Sequence, residues 1–132
     1  MTREKIREMT MQLIYQMDAE GNFDYTEITP MEEDAAAMNK KQALAVLEAV
    51  RSNISDIDLM ISENLDKWDF SRVAKTDLAI LRTAVAEMMY VDSIPAGVSI
   101  NEAVNLAKKY GDERSYAFVN SVLTKVSKKI GE

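Results

Sequence analysis

The sequence predicts an all-α fold of six to seven helices in two packed groups, and three observations carry that prediction. Only 4 Gly and 2 Pro interrupt 132 residues, so turns are few and regular segments long. Leu, Ala, Met, Glu and Lys, all good helix formers, fill those segments. Apolar residues recur at helical spacing, and strictly alternating β-branched runs are missing. A chain of this length that is 47% hydrophobic suits one domain, residues 1–132, with a substantial core.

The first helix spans 3–18, with Ile6, Met9, Leu13 and Met17 forming its buried stripe. A polar loop follows. Thr29-Pro30-Met31-Glu32 then reads as a helix start, with a hydroxyl N-cap, a proline at the first position and an acid at the third. That helix runs to about Ile54, loosely over 31–38. Ser55 is placed to cap a third helix carrying Ile57, Ile61 and Leu65. In "KWDFS", Trp68 and Phe70 are expected to seal the junction between a half at about 1–70 and a half at about 71–132.

Residues 76–91 are apolar around much of the circumference (Leu78, Ile80, Leu81, Ala84, Val85, Met88), which predicts a central helix. Ser99-Ile100-Asn101-Glu102 has the form of a capping box, and Gly111 stands where a left-handed C-terminal residue is wanted. Asp112 can cap a last helix ending near Ile130.

Composition excludes several chemistries. The chain has no Cys and no His, so disulfides, thiolate metal sites and the commonest general base are all absent. No cofactor or metal is expected, since no glycine-rich phosphate loop or metal-ligand spacing occurs. The start, "MTREKIREMT", lacks an apolar signal core, and no run approaches a membrane span, so a soluble cytoplasmic protein is expected. The net charge of −6 argues against nucleic acid, but its distribution is uneven. Residues 18–71 hold 13 acids against 4 bases, whereas both ends are mildly basic.

Two aromatics sit off their helix stripes. In the last helix Val119, Val122, Leu123, Val126 and Ile130 share the buried side, and Phe118 lies about 100° from its centre. Arg114, Lys125 and Lys129 flank it. A ring among cations suits single-stranded nucleic acid, with base stacking on the ring and phosphates on the cations. From this helix alone a core-edge packing role fits Phe118 better, since aromatic residues are usually core or core-edge. In the first helix Tyr15 lies nearly opposite the stripe, sharing the outer face with Lys5, Glu8 and Gln12, while Arg3 and Arg7 flank the stripe from the other side. A half-exposed tyrosine also needs no functional reason.

Three stretches resemble the NusB family in order along nearly the whole chain. They are "IREMTMQLIYQMD", then "TDLAILRTAVAEM" after a Trp and an Arg, then "IPAGVSINEAVNLAKKYGDERSYAFVNSVL". The resemblance implies two small helical bundles and a non-enzymatic role in transcription antitermination, chiefly on ribosomal RNA operons. Its implied partners are the single-stranded boxA element of nascent RNA, the small-subunit ribosomal protein NusE and the RNA polymerase antitermination complex. By motif, the RNA side would comprise Arg3, Lys5, Arg7, Gln12 and Tyr15, completed by Arg114, Phe118 and Lys125. The partner side would run along the central helix with Asp77, Arg82 and Glu87. Here Glu4 and Glu8 interrupt the family's arginine run, Arg114 replaces a common acid, and Ala86 replaces a common Tyr.

The residues leave a rival open: a protein-binding helical adaptor or homodimer whose Met-rich surface docks a partner without RNA. Similar helical domains also precede RNA methyltransferase domains, but no glycine-rich cofactor fold follows here.

Overall fold

The computed structural model describes residues 1–131; residue 132, the last of the expected domain, lies outside them. Five α-helices make up most of the described chain: α1 Arg3–Glu20, α2 Lys41–Ser62, α3 Lys75–Tyr90, α4 Ala96–Tyr110 and α5 Ser115–Gly131. Two 3-10 segments, Glu32–Asn39 and Phe70–Arg72, bring the helical segments to seven. No strand occurs among the described residues. The fold is all-α, as the composition predicts.

The central helix is where the apolar pattern places it. α3 packs against α1, α2, α4 and α5, and every residue from Asp77 to Glu87 is buried. α1, α2 and the first 3-10 segment pack on one side, while α4 and α5 pair on the other. One hydrophobic cluster runs through both groups, from Leu13, Ile14 and Met17 on α1 to Val119, Leu123 and Val126 on α5. Burying that cluster is the main favourable term in folding.

Local details depart from the sequence reading in four places. The helix expected to start at Ser55 begins slightly earlier: α2 is two helices run together across a kink at Asn53 (φ −136°, ψ 25°), and Ser55 lies just past the kink without capping it. The Asn53 amide donates back to the Ala49 carbonyl at 3.1 Å, a local bond that competes with the helical ladder and bends the helix there. Thr29 caps nothing, because the 3-10 segment begins after Met31 without a side-chain cap. α4 begins at Ala96, three residues before the expected box, so Ser99 lies inside the helix and is buried. Gly111 is extended (φ −89°, ψ −174°), and the left-handed helix end is found instead at Gly21 (φ 69°), which closes α1.

Candidate nucleic-acid interface

The start of α5 is built from a tight turn. Asp112 Oδ1 accepts the Arg114 N–H at 2.8 Å, and the Asp112 N–H donates to Ser115 Oγ at 3.0 Å. Gly111 permits this closeness: a Cβ there would clash with the Ser115 side chain and lie 2.8 Å from the Ala107 carbonyl oxygen. The turn leaves Arg114 exposed, with Phe118 one helical turn further on the same face.

Phe118 is half-buried at the edge of the core, and its exposed side meets Trp68. The two rings lie edge to face, with centroids 5.8 Å apart and planes at 64°. Trp68 does not seal the junction between halves; it is 60% exposed. Phe70 does face inwards, packing on the core with the Arg82 guanidinium 5.9 Å from its ring. A left-handed residue, Asp66 (φ 56°), turns the chain after α2, a conformation Asp tolerates better than most residues. Lys125 pairs with that same Asp66, tying α5 to the turn that presents Trp68.

Trp68, Arg72, Asp77, Arg114 and Phe118 line one cleft of about 220 Å³. α3 starts beside it at Ala74 with no side-chain cap, so its first free N–H groups add positive potential. Asp77, in that first turn, opposes them. It is buried, its Oδ1 accepts no hydrogen bond, and burial holds its carboxyl above the usual range despite the nearby Ser115 hydroxyl. Arg72 and Arg114 are exposed and free to meet an anion.

The sequence-predicted residues divide around α3. Arg114 and Phe118 come together at its N-terminal end, while Lys125 does not line that cleft and pairs with Asp66. Arg7 does not join them: it is buried on α1, and its Nε donates to Glu87 Oε2 at 2.7 Å. Glu87, 1% exposed, also accepts the Ser99 hydroxyl at 2.9 Å, so it faces no partner and instead clamps α1 and α4 to α3. Ten residues separate Asp77 from Glu87, about 15 Å along the helix axis.

Arg82 is internal as well, and no exposed partner face runs along α3 from Asp77 to Glu87. Arg82 forks onto Asp58 at 2.8 and 2.9 Å, approaches Asp18 at 3.2 Å, and lies 4.8 Å from the Phe23 ring. Both misplacements share a cause. A charged side chain on a buried helix is satisfied by residues far away in sequence, which leave no local signal.

On α1, Glu8 is buried rather than outward-facing. Burial would raise its carboxyl, but hydrogen bonds from Lys109, Lys5 and Tyr110 overcome that and lower it to about 2. Lys5 is therefore engaged with Glu8, while its neighbour Arg3 is exposed and shares a groove with Lys41. The Gln12 amide donates to the Tyr110 hydroxyl at 2.9 Å, and Tyr15 is exposed near Lys75. Ile130 is exposed, outside the buried stripe of α5, and Asn120 also faces solvent. Sequence reasoning missed Trp68 and Arg72 as site residues. The one available cue was a large aromatic between Lys67 and Asp69, both exposed.

A family model described as "NusB family" matches residues 4–128. The chain is similar to the transcription antitermination protein NusB of Oceanobacillus iheyensis, with 40% identity covering 96% of this chain and 98% of that protein. Among solved structures it is similar to NusB of T. maritima, with a TM-score of 0.80 and 27% identity over 98% of this chain and 92% of that one. It also matches a chain in the crystal structure of a plectonemic RNA supercoil, with a TM-score of 0.79 and 27% identity over 96% and 94%.

Proposed function

The chain belongs to the NusB family, and on that premise we propose that it acts in transcription antitermination by holding single-stranded boxA-type RNA against the Trp68–Phe118 pair. The edge-to-face pair of exposed Trp68 and half-buried Phe118, beside Arg72 and Arg114, carries this reading. An unpaired base can stack on such rings whatever its identity, while guanidinium groups and the start of α3 hold its phosphates. The likeness to a chain from an RNA supercoil structure supports the same class of ligand.

Few cations reach this cleft, and the chain as a whole is acidic at −6, so electrostatics alone supply little affinity at physiological salt. Tight binding then depends on a protein partner, NusE, within the cytoplasmic RNA polymerase antitermination complex. Arg7, Arg82 and Glu87 serve this function by fixing the helices rather than by touching either partner. Arg3, exposed on the first turn of α1 and one turn from the Arg7–Glu87 contact at the far end of α3, extends the track for a longer strand, with Gln12 and Tyr15 further along α1. Lys5 is held by Glu8.

Fluorescence anisotropy with a boxA-like RNA and a scrambled control, each with and without NusE, tests the reading. A preference for boxA-like RNA that NusE strengthens is expected. No preference in either condition would replace it with the protein-binding adaptor.

A further inference from the structure

Asp77 is out of keeping with the cleft it lines. Arg72, Arg114 and the uncapped start of α3 suit that cleft to an anion. Asp77 nevertheless sets a carboxyl, 8% exposed, into the wall. Its Oδ1 is buried without a hydrogen bond, which is unfavourable for an ionised oxygen. The Ser115 hydroxyl has a single proton to give, and it also lies 3.3 Å from Asp112 Oδ1, so two carboxyls compete for one donor.

The surroundings favour the neutral form of Asp77. Burial raises its carboxyl, the Ser115 hydroxyl on α5 lowers it, and Asp112, in the turn before α5, raises it through space. Arg72 on the second 3-10 segment and Arg114 just ahead of α5 share the cleft, but both are exposed to water. On its own helix, Lys75 turns instead towards Asp18, at 3.7 Å. A phosphate drawn in by the two arginines would add negative charge beside Asp77, and the strand would exclude water from it. Both changes favour protonation.

We propose that single-stranded RNA entering this cleft is accompanied by a proton, taken from solvent onto the Asp77 carboxylate, so that RNA affinity rises as pH falls. The inference rests on the RNA reading above. Its sign follows from linkage: the bound form holds more protons than the free form, so acid favours binding. The chain has no His, so the side chain that ordinarily titrates between pH 5 and pH 7 is missing and cannot mask the effect. Asp34, a second carboxyl raised by burial, lines a different concavity with Tyr15 and Met31.

The test uses the full chain alone, because a protein partner would bring its own titrating groups, at low ionic strength to strengthen binding. A boxA-like single-stranded RNA is titrated at pH 7, 6 and 5, with anisotropy and Trp68 emission read together. Affinity should rise about three- to tenfold from pH 7 to pH 5. Asp77→Asn, neutral throughout, should bind at pH 7 about as tightly as the parent does at pH 5 and should lose most of the rise. Asp34→Asn should behave as the parent. Calorimetry in two buffers of different ionisation heat should show proton uptake by the parent and none by Asp77→Asn. RNA that quenches Trp68 with an affinity flat in pH, or with the whole rise kept in Asp77→Asn, would overturn the proposal and leave the stacking reading standing. RNA that binds without changing Trp68 emission would overturn both.

Discussion

Arg7 and Glu87, eighty residues apart in sequence, form a buried ion pair at 2.7 Å that joins the first helix to the central one. The Ser99 hydroxyl bonds the other Glu87 oxygen, so three helices meet at one carboxylate. Removing only the cation leaves a buried charge without its partner. Arg7→Ala should therefore destabilise the protein by about 3–5 kcal/mol, read from denaturant unfolding. Arg7→Met combined with Glu87→Leu should recover most of that loss. A surface role for Arg7 would instead leave stability within about 0.5 kcal/mol of the parent.

Glu8 gives the fold an acid-sensitive contact. Its carboxyl is lowered from 4.5 to about 2 in the folded state. A depressed carboxylate stabilises the fold above its unfolded value and loses that contribution as pH falls through the folded one. The loss should therefore occur between about pH 4.5 and pH 2. Lys5 and Lys109 are each more than half exposed, so screening limits the contribution to about 1–2 kcal/mol. Glu8→Gln should be less stable than the parent at pH 7, with the gap closing by pH 2 in chemical unfolding series.

Asp77 has the opposite sign. Burial raises its carboxyl, so the ionised form costs stability above the folded value, and that cost disappears below the unfolded value near 3.8. Asp77→Asn should be slightly more stable than the parent at pH 7 and equal to it below about pH 4. Because Asp77 lines the Trp68 cleft, the same change should also tighten RNA binding measured by anisotropy. Unchanged or weaker binding would place the phosphate path elsewhere.

Arg114 and Phe118 should separate charge from stacking. Arg114→Ala should weaken RNA binding and reduce the log–log salt slope by about 0.7, the value of one single-strand phosphate contact. Phe118→Ala should weaken binding by about 1–3 kcal/mol with the slope unchanged. Parallel salt titrations of the parent and both variants check this.

What was legible in the sequence follows from how far each signal travels along the chain. The stripes Ile6, Met9, Leu13, Met17 and Val119, Val122, Leu123, Val126 are all buried, because one-sided packing imposes a helical period on adjacent turns. The burial of Asp77, Arg82 and Glu87 was not legible, since Arg82 answers to Asp58 and Glu87 to Arg7. Ser99 followed a capping pattern by composition, yet its hydroxyl is used by Glu87 from another helix. Half of the candidate site, Arg114 and Phe118, stood out by angle on one helix. Trp68 did not, because only the folded chain brings it against a ring fifty residues later.

Trp68 is the only tryptophan in the chain, so its fluorescence reports directly on the cleft. Titrating a boxA-like single-stranded RNA into the parent protein with NusE present should quench that emission saturably, with a midpoint matching the anisotropy curve. Phe118→Ala should shift that midpoint to higher RNA concentration. RNA that binds by anisotropy while leaving Trp68 emission unchanged would contradict stacking at the Trp68–Phe118 pair.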